Sequence, residues 1–304
     1  MSKTPILVIV GPTASGKTSL SIALAKRFRG EVISADSRQV YRGLDIGSGK
    51  VTPEEMAGVP HHLLDVADPM TTYTAHDFVH DATTAIHEIT DRGNLPIIAG
   101  GTFFYVDTLL GKQTIPPVQP DEHLRASLDT QSTETLIKRL QELDPKRAAT
   151  VDVANRRRLV RAIEIATNLG TVPPPTPIQD THYRALTLGI AIEKEALHHN
   201  IHIRLLERLE AGMVAEVETL LARGVTHERL EAFGLEYRYI SRYLNGVLPY
   251  ETMVTELETK SRQFAKRQMT WLKRDQSIIW VDKTNTQHIE RVVEDFLGTT
   301  THTL

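Results

Sequence analysis

The chain has 304 residues, a formal net charge of -3, 40% hydrophobic residues and no cysteine. This length is long for one domain, so we expect either a main domain that carries a substantial insertion or two domains. The absence of cysteine excludes disulfides, thiolate zinc sites and cysteine nucleophiles, and it fits a reducing cytoplasm. The small negative charge argues against indiscriminate binding of nucleic acid, so any such contact should come from local basic clusters.

No segment of the sequence is typical of a membrane or secretion element. The first apolar run, at 6–10, is too short for a signal sequence, and we interpret it as the first strand. No apolar run approaches the roughly 18 residues that a membrane span requires. We therefore expect a soluble, cytoplasmic protein.

The first hundred residues alternate short apolar runs with helical patterns. This alternation predicts an α/β fold, in which a parallel sheet is flanked by helices. The predicted strands are 6–10, 31–35, 62–66 and 96–99, and the predicted helices begin at about Lys17 and span 75–91.

The pattern changes near Pro116, and a charged helical region follows. We predict a helical insertion domain at 118–180 that ends in a stiff proline-rich connector at 171–177. The catalytic domain then comprises 1–117 and 181–304. It should return to the sheet at 187–193, continue mostly as helices, form a last strand at 278–282 and fray at its final four residues.

The stretch GPTASGKT, at 11–18, matches the complete P-loop pattern between an apolar run and a helical pattern. Such a loop turns its backbone N–H groups toward an anion, and the following helix adds its positive end. Lys17 would reach the outer phosphates, and the Thr18 hydroxyl is placed to bind Mg²⁺. The loop alone does not define the reaction, although no Walker B strand with a hydrolytic base and no guanine-binding N-K-x-D motif is present.

Polar residues follow two other predicted strands, Asp36-Ser37 after 31–35 and Gly100-Gly101-Thr102 after 96–99. Because ligands bind beyond the carboxyl ends of parallel strands, we expect these segments to converge with the P-loop on one ligand. Asp36 is the leading catalytic candidate. From the residues alone it could be a Mg²⁺ ligand, a general base or a cap for the next helix.

Two basic clusters stand out in a nearly neutral chain. The segment 155–165 holds four arginines within about two helical turns, and 260–275 places Arg262, Lys266 and Lys273 on one side of a helix. Either cluster alone is compatible with a solvated helix face, whereas the two together favour a polyanionic partner. His198 and His202 stand four residues apart but lack the glutamate of a zinc-protease motif, so a solvated face is favoured over a metal site.

The sequence resembles the tRNA dimethylallyltransferases, also called tRNA isopentenyltransferases. The resemblance covers most of the chain and rests on motifs that occur in family order: GPTASGKT, ISADSRQVYRGLDIG, HHLLD, GGTFFY, RRLVRAIE, GMVAEVETLLARG and QFAKRQMTWLKR. It implies a P-loop NTPase-like fold with an all-helical insertion. It also implies transfer of a dimethylallyl group from dimethylallyl diphosphate to N6 of the adenosine that follows the anticodon on its 3′ side.

The resemblance implies a role for individual residues. Asp36 matches the general base, while Lys17, Thr13 and Arg204 match catalytic residues that hold the diphosphate, and Mg²⁺ at Thr18 would offset its charge. The implied diphosphate cradle consists of Gly11, Pro12, Thr13, Ala14, Ser15, Gly16, Lys17, Thr18 and Arg204.

The resemblance also implies contacts with the tRNA anticodon stem-loop and a monomeric enzyme. Chemistry on a stacked base requires its removal from the stack, so we expect the adenosine to flip into a channel opposite the donor's entrance. The matching positions are Asp36, Ser37, Arg38, Gln39, Thr102, Arg125, Arg157, Arg158, Leu159, Val160 and Arg161.

Three positions depart from the family pattern: GSGKV at 47–51 replaces G-T-A-K-P, GLEY at 234–237 replaces G-Y-x-E, and Arg208 replaces an apolar residue. These departures affect the expected tRNA contacts and rate more than the type of reaction. Two alternatives remain at this stage, an adenylate prenyltransferase that uses free nucleotide and a non-catalytic RNA-binding P-loop protein.

Overall fold

A computed structural model describes residues 3–174 and 182–298. The chain divides into a sheet unit, Met1–Leu110 with Asp180–Leu304, and a helical unit, Gly111–Gln179. The sequence places the first boundary after 117, where the prolines begin, whereas the units divide after Leu110. There Gly111 adopts a φ of 68°, directly after the last helix of the first segment. The predicted connector lies in part, and the final four residues entirely, outside the described residues.

The sheet unit contains one parallel sheet with the strand order β3-β2-β4-β1-β5-β6. The strands within the described residues are β1 Thr4–Val10, β2 Gly30–Ser34, β3 His61–His62, β4 Leu95–Ala99, β5 Tyr183–Ile190 and β6 Ile279–Val281. The predicted parallel sheet is confirmed. The expected strand at 62–66 is wrong beyond its first residue, because Leu63 and Asp65 take positive φ angles of 61° and 56° that end the extended backbone.

Helices cover both faces of this sheet. The helices of the sheet unit within the described residues are α1 Lys17–Phe28, α2 Pro53–Met56, α3 Ala75–Asp91, α4 Phe103–Leu109, α9 Lys194–Glu210, α10 Met213–Ala222, α11 His227–Phe233, α12 Leu235–Leu244, α13 Tyr250–Leu272 and α14 Thr286–Leu297. The predicted helix 75–91 is α3, and its start is fixed by a capping box between Thr74 and Asp77.

The central strand β1 is buried on both faces, as expected for a parallel sheet covered by helices. Ile6, Val8 and Val10 pack with residues of α3 and α4, whereas Leu7 and Ile9 pack with residues of α1 and α14. A third core joins residues of α9 to α13 with the loop after β2. The sheet therefore lies between two packed layers of helices, and this packing fixes the positions from which the loops at its carboxyl edge extend.

The helical unit contains α5 Glu122–Asp129, α6 Thr133–Leu143, α7 Pro145–Ala148 and α8 Arg156–Leu169, and it shows no strand within its described residues, 111–174. Its own core centres on Leu128, Leu136, Leu140, Leu159 and Ile163. The all-helical insertion predicted from the sequence is thus present. In the described parts of the whole chain, no helix is both long and apolar enough to cross a membrane.

Candidate active site

The P-loop connects the buried strand β1 to α1. Gly16 caps α1 with a left-handed φ of 97°, and the first turn of this helix carries no acidic side chain. The positive end of α1 is therefore directed at the loop without a competing carboxylate from its own first turn. Ser15 is fully buried, and its hydroxyl oxygen lacks a hydrogen-bond partner among the described residues.

Two cations meet at this loop. The Lys17 ammonium donates hydrogen bonds to the carbonyl oxygens of Gly11 at 2.9 Å and Pro12 at 2.8 Å. A guanidinium nitrogen of Arg204, from α9, donates to the hydroxyl of Thr13. Within the described residues, neither cation forms a salt bridge with a carboxylate. The predicted diphosphate-binding residues are therefore brought together with net positive charge.

The site destabilises the charged forms of both cations. Burial, followed by the nearby Arg204 charge, lowers the pKa of Lys17 to about 7, although Asp36 acts in the opposite direction. Burial, followed by the Arg208 charge, lowers the pKa of Arg204 to about 10. Desolvation is the larger cause of both shifts and repulsion between the neighbouring cations is the second, and a bound anion would offset both by stabilising the charged forms.

Asp36 lies just beyond β2, in the turn that precedes Val40. Its Oδ1 accepts hydrogen bonds from the backbone N–H groups of Arg38 at 2.9 Å and Gln39 at 3.4 Å. One carboxylate oxygen of Asp36 therefore caps a turn. A cap for the next helix was one of the three roles considered for Asp36, but the capped segment is a turn and not a helix. The other oxygen, Oδ2, has no hydrogen-bond partner within the described residues and remains available for chemistry.

The loop after β4 approaches Asp36 very closely because Gly100 has no side chain. A Cβ atom at Gly100 would lie 2.1 Å from the carbonyl oxygen of Ala35. This contact lets the hydroxyl of Thr102 accept a hydrogen bond from the backbone N–H of Ser37 at 2.9 Å. The three strand-end segments singled out in the sequence thus lie side by side.

Gln268, on α13, connects two of these segments and was not identified as a site residue from the sequence. Its Oε1 accepts a hydrogen bond from the backbone N–H of Thr13 at 2.8 Å, and its Nε2 donates to the carbonyl of Gly101 at 3.0 Å. Gln268 lies in the QFAKRQMTWLKR motif. Helical periodicity places it away from the face that carries Arg262, Lys266 and Lys273, so the sequence offers no reason to assign it a role in the site.

Asp36 borders two cavities. The first has a volume of about 440 Å³ and is lined by the P-loop, Lys17, Arg204 and Lys283. The second has a volume of about 280 Å³ and is lined by Ser37, Thr102 and aromatic or cationic side chains, namely Phe103, Phe104, Phe264, Arg267 and Trp271. Both cavities are lined by Asp36, Arg38, Gly101, Phe264 and Gln268. The carboxylate is therefore accessible from an anion-binding side and from an aromatic side.

The three departures from the family pattern meet at one wall of the first cavity. A guanidinium nitrogen of Arg208 lies 3.4 Å from the carbonyl oxygen of Gly47 and 3.6 Å from a carboxylate oxygen of Glu236. A Cβ atom at Gly49 would overlap the Arg208 guanidinium. The glycine and the arginine therefore form one coupled arrangement, in which the missing side chain at 49 accommodates the long one at 208.

The candidate tRNA-binding residues of the helical unit fall into two groups. Arg125 and Arg161 both pair with Glu164, whose side chain has 0% exposure, and Arg125 makes two hydrogen bonds of 3.0 Å to it. Arg161 also donates to the carbonyl of Val118 at 2.7 Å. These two guanidinium groups are already engaged inside the unit.

The remaining candidates differ in exposure. Leu159 and Val160 pack in the core of the helical unit with exposures of 0% and 8%, where their side chains hold α8 in place, and their contact with tRNA stays a prediction. Arg157 and Arg158 are exposed, and Arg158 has only a 3.6 Å surface pair with Asp152. Arg157 and Arg158 are thus the members of this set that can reach an external phosphate.

The candidate Mg²⁺ ligand, Thr18, stands in the first turn of α1 and lines the first cavity with Asp36. No group of three or more histidine, aspartate or glutamate side chains that could hold a metal occurs within residues 3–174 and 182–298. A hydroxyl and one nearby carboxylate fit a Mg²⁺ ion that takes most of its remaining ligands from substrate phosphates and water. His202 pairs instead with Glu258 at 3.1 Å.

The sequence matches known proteins over most of its length. The family model described as IPP transferase matches residues 39–275. A tRNA dimethylallyltransferase 2 from Shewanella sediminis is 46% identical, with 88% of this chain and 89% of that protein covered. A tRNA dimethylallyltransferase from Streptococcus sanguinis is 41% identical, with 96% and 97% covered.

The fold also matches solved structures. The full-length tRNA isopentenylpyrophosphate transferase from Bacillus halodurans superposes with a TM-score of 0.73 at 34% identity, covering 98% of this chain and 97% of that one. A eukaryotic dimethylallyltransferase described as acting on tRNA gives a TM-score of 0.77 at 26% identity, covering 97% and 80%.

Proposed function

This chain belongs to the IPP transferase family, and we propose that it is a tRNA dimethylallyltransferase. It transfers the dimethylallyl group of dimethylallyl diphosphate to N6 of the adenosine that follows the anticodon. The observation that carries this assignment is the position of Asp36 at the border of two cavities of different character.

The two cavities suit the two substrates. The first, with a P-loop and cations that have no carboxylate partner, suits the diphosphate of the donor. The second, with Phe104, Phe264 and Trp271 among its lining residues, suits a planar base removed from its stack. In this arrangement the amine and the allylic carbon approach each other beside the carboxylate from opposite sides.

The reaction requires a proton acceptor and a site for the leaving group. As N6 forms a bond to the allylic carbon, the bond from that carbon to the diphosphate oxygen breaks, and the electron pair leaves with inorganic diphosphate. Asp36 takes the proton from N6 through the oxygen that is not engaged by the Arg38 and Gln39 backbone. Lys17, Arg204 and the hydroxyl of Thr13 hold the diphosphate, where negative charge increases during the reaction.

We assign Mg²⁺ as the cofactor and the hydroxyl of Thr18 as its protein ligand beside the diphosphate. When bound, this ion would neutralise charge on the leaving group. On the acceptor side, Ser37, Arg38, Gln39 and Thr102 contact the flipped nucleoside, because they surround Asp36 at the second cavity or at the turn beside it. The exposed Arg157 and Arg158 contact RNA phosphates, and the enzyme acts as a cytoplasmic monomer.

A label-transfer experiment tests the function. The protein is incubated with Mg²⁺, labelled dimethylallyl diphosphate and either an unmodified anticodon stem-loop RNA or AMP. The proposal predicts label in the RNA, and loss of that label when the adenosine after the anticodon is replaced by guanosine. Label in AMP but not in RNA would instead identify a nucleotide prenyltransferase, and RNA binding without transfer to either acceptor would identify a non-catalytic RNA-binding protein.

A further inference from the structure

Lys283 lies beside the P-loop although it is distant from it in the sequence. It follows β6, which pairs with β5, and β5 in turn pairs with β1 along its full length. Because all three strands are parallel, the segment after β6 emerges at the same sheet edge as the P-loop. The fold therefore places Lys283, which follows the last strand, at the sheet edge that carries the P-loop.

The backbone at Lys283 is held in a defined turn. Asp282 Oδ1 accepts hydrogen bonds from the backbone N–H of Thr284 at 2.9 Å and from its hydroxyl at 2.8 Å. The Asp282 carbonyl accepts a hydrogen bond from the N–H of Asn285 at 3.0 Å, just before α14 begins. These contacts fix the position from which the lysine side chain extends.

The side chain of Lys283 covers Gly16, the residue at which α1 begins. A Cβ atom built on Gly16 would lie 2.8 Å from the ammonium nitrogen of Lys283 and 3.2 Å from its Cδ. The ammonium group occupies this place because Gly16 has no side chain, and it lines the 440 Å³ cavity with Lys17 and Arg204. It thus lies over the loop where backbone N–H groups and the helix dipole favour an anion.

The neighbouring Asp282 carboxylate, which is exposed, interacts electrostatically with Lys283 but forms no salt bridge with it. Within residues 3–174 and 182–298, its ammonium nitrogen forms neither a salt bridge nor a hydrogen bond with a protein acceptor, and the Oδ1 of neighbouring Asp282 is engaged by Thr284. Lys17 and Arg204 border the same cavity, so three cations surround one space. Cations that line one cavity repel one another, and a bound anion would offset this repulsion.

We infer that Lys283 is a further donor-binding residue, whose ammonium group binds the diphosphate where it meets the start of α1. This inference rests on the proposed function and extends the diphosphate site beyond the P-loop, Thr13 and Arg204. Because Lys283 contacts the anion and not the acceptor, its removal weakens binding of the donor and of inorganic diphosphate and leaves the KM for RNA unchanged.

Inorganic diphosphate, titrated calorimetrically in the presence of Mg²⁺ into the full-length protein, is the direct probe. Lys283→Met is expected to raise the Kd about 5- to 20-fold, the loss typical of one charge-assisted hydrogen bond at a partly exposed site. Lys283→Arg should recover most of the affinity, because it restores the charge. Lys26→Met is the matched control, since Lys26 is an exposed lysine near the opposite end of α1, and its Kd should equal that of the wild type.

The outcomes separate this inference from the proposed function. If Lys283→Met binds diphosphate within twofold of the wild type, the inference is wrong, whatever the protein's activity. If the wild type binds diphosphate but transfers no prenyl group, the proposed function fails, and the titration of the variants still decides the role of Lys283. A wild type that binds no diphosphate contradicts both.

Discussion

The charged groups of the sheet unit that are proposed to act on substrate differ in their pairing from the Glu164 cluster of the helical unit. Around the cavities of the sheet unit, Lys17 and Arg204 have no carboxylate partner among the described residues, and one oxygen of Asp36 accepts no hydrogen bond from them. In the helical unit, the Glu164 carboxylate accepts hydrogen bonds from both Arg125 and Arg161 and from a backbone N–H. The difference indicates that charges left without a partner serve substrates, whereas charges paired in the interior serve the fold.

The largest expected effect concerns the free carboxylate oxygen. Asp36→Asn retains an acceptor for the backbone N–H groups of Arg38 and Gln39 but cannot take a proton, so kcat should fall by about 10²- to 10⁴-fold. Single-turnover transfer to the stem-loop RNA measures this change. The Kd for inorganic diphosphate should remain close to the wild-type value. A variant with nearly wild-type kcat would remove Asp36 from the role of general base.

The paired carboxylate should behave in the opposite way. Glu164→Gln removes the buried counter-charge of two arginines, and removal of one partner of a buried pair costs about 3–5 kcal/mol. Unfolding of the helical unit, followed by hydrogen exchange of the α8 amides, measures this loss. Glu122→Gln is the control, because Glu122 faces the same Arg125 at 3.8 Å but is 76% exposed, and it should cost less than about 1 kcal/mol. Equal losses of stability in Glu164→Gln and Glu122→Gln would contradict the distinction between the buried and the exposed carboxylate.

This carboxylate also predicts a pH dependence. Burial raises the pKa of Glu164, but hydrogen bonds from Arg125, the Asp121 N–H and Arg161 outweigh it, so the pKa lies below its ordinary value of 4.5. The stabilisation is therefore complete above the unfolded-state pKa and is lost as the pH falls below it. The hydrogen-exchange protection of α8 in the wild type should therefore decrease as the pH falls below the unfolded-state pKa of Glu164.

The unpaired Lys17 should reduce the stability of the ligand-free protein near neutral pH. Its folded-state pKa of about 7 lies below the ordinary 10.5, so between these values the unfolded state binds more protons and stability rises with pH. From pH 7 to 9 the gain should be about 2 kcal/mol, and Lys17→Met should lack it. Urea unfolding at both pH values measures the difference. A wild type and a variant with the same pH dependence would place the Lys17 pKa near its ordinary value.

The smallest expected effects concern the surface arginines of α8. Arg157→Gln and Arg158→Gln should each reduce the slope of log Kobs against log salt for RNA binding by about 0.7 to 0.9. Arg156→Gln is the control, because its guanidinium donates to the carbonyls of Leu128 at 2.8 Å and Gln131 at 2.7 Å. Fluorescence anisotropy with the stem-loop RNA gives these slopes. Unchanged slopes for Arg157 and Arg158 would move the phosphate contacts to another surface.

The sequence predicts the local features of the site well. The P-loop motif, α1, α3 and the position of Asp36 after a buried strand follow from short-range patterns, because each depends on neighbours along the chain. The carboxyl-edge rule then brings Asp36 and Thr102 to the P-loop without knowledge of the side-chain packing.

Tertiary pairing could not be predicted in the same way. Gln268 and Lys283 reach the P-loop from distant segments, and although Gln268 lies in the QFAKRQMTWLKR motif, no local pattern predicts that either side chain contacts the loop. The pairing of Arg125 and Arg161 with Glu164 depends on how α5 packs against α8. The resemblance implied RNA contacts for all of 157–161, whereas the helical periodicity allows Leu159 to face a core, as the structure shows.

Arg204→Gln and Arg161→Gln give the most direct test of the distinction between unpaired charges that bind substrate and paired charges that stabilise the fold. For each variant, the KM for dimethylallyl diphosphate and the unfolding of the protein are measured on the same preparation. We predict that Arg204→Gln raises the donor KM about tenfold or more without loss of stability, whereas Arg161→Gln destabilises the helical unit and leaves the donor KM unchanged. If Arg204→Gln lost stability with an unaltered donor KM, or Arg161→Gln kept full stability, the assignment of unpaired charges to substrate and paired charges to the fold would be contradicted.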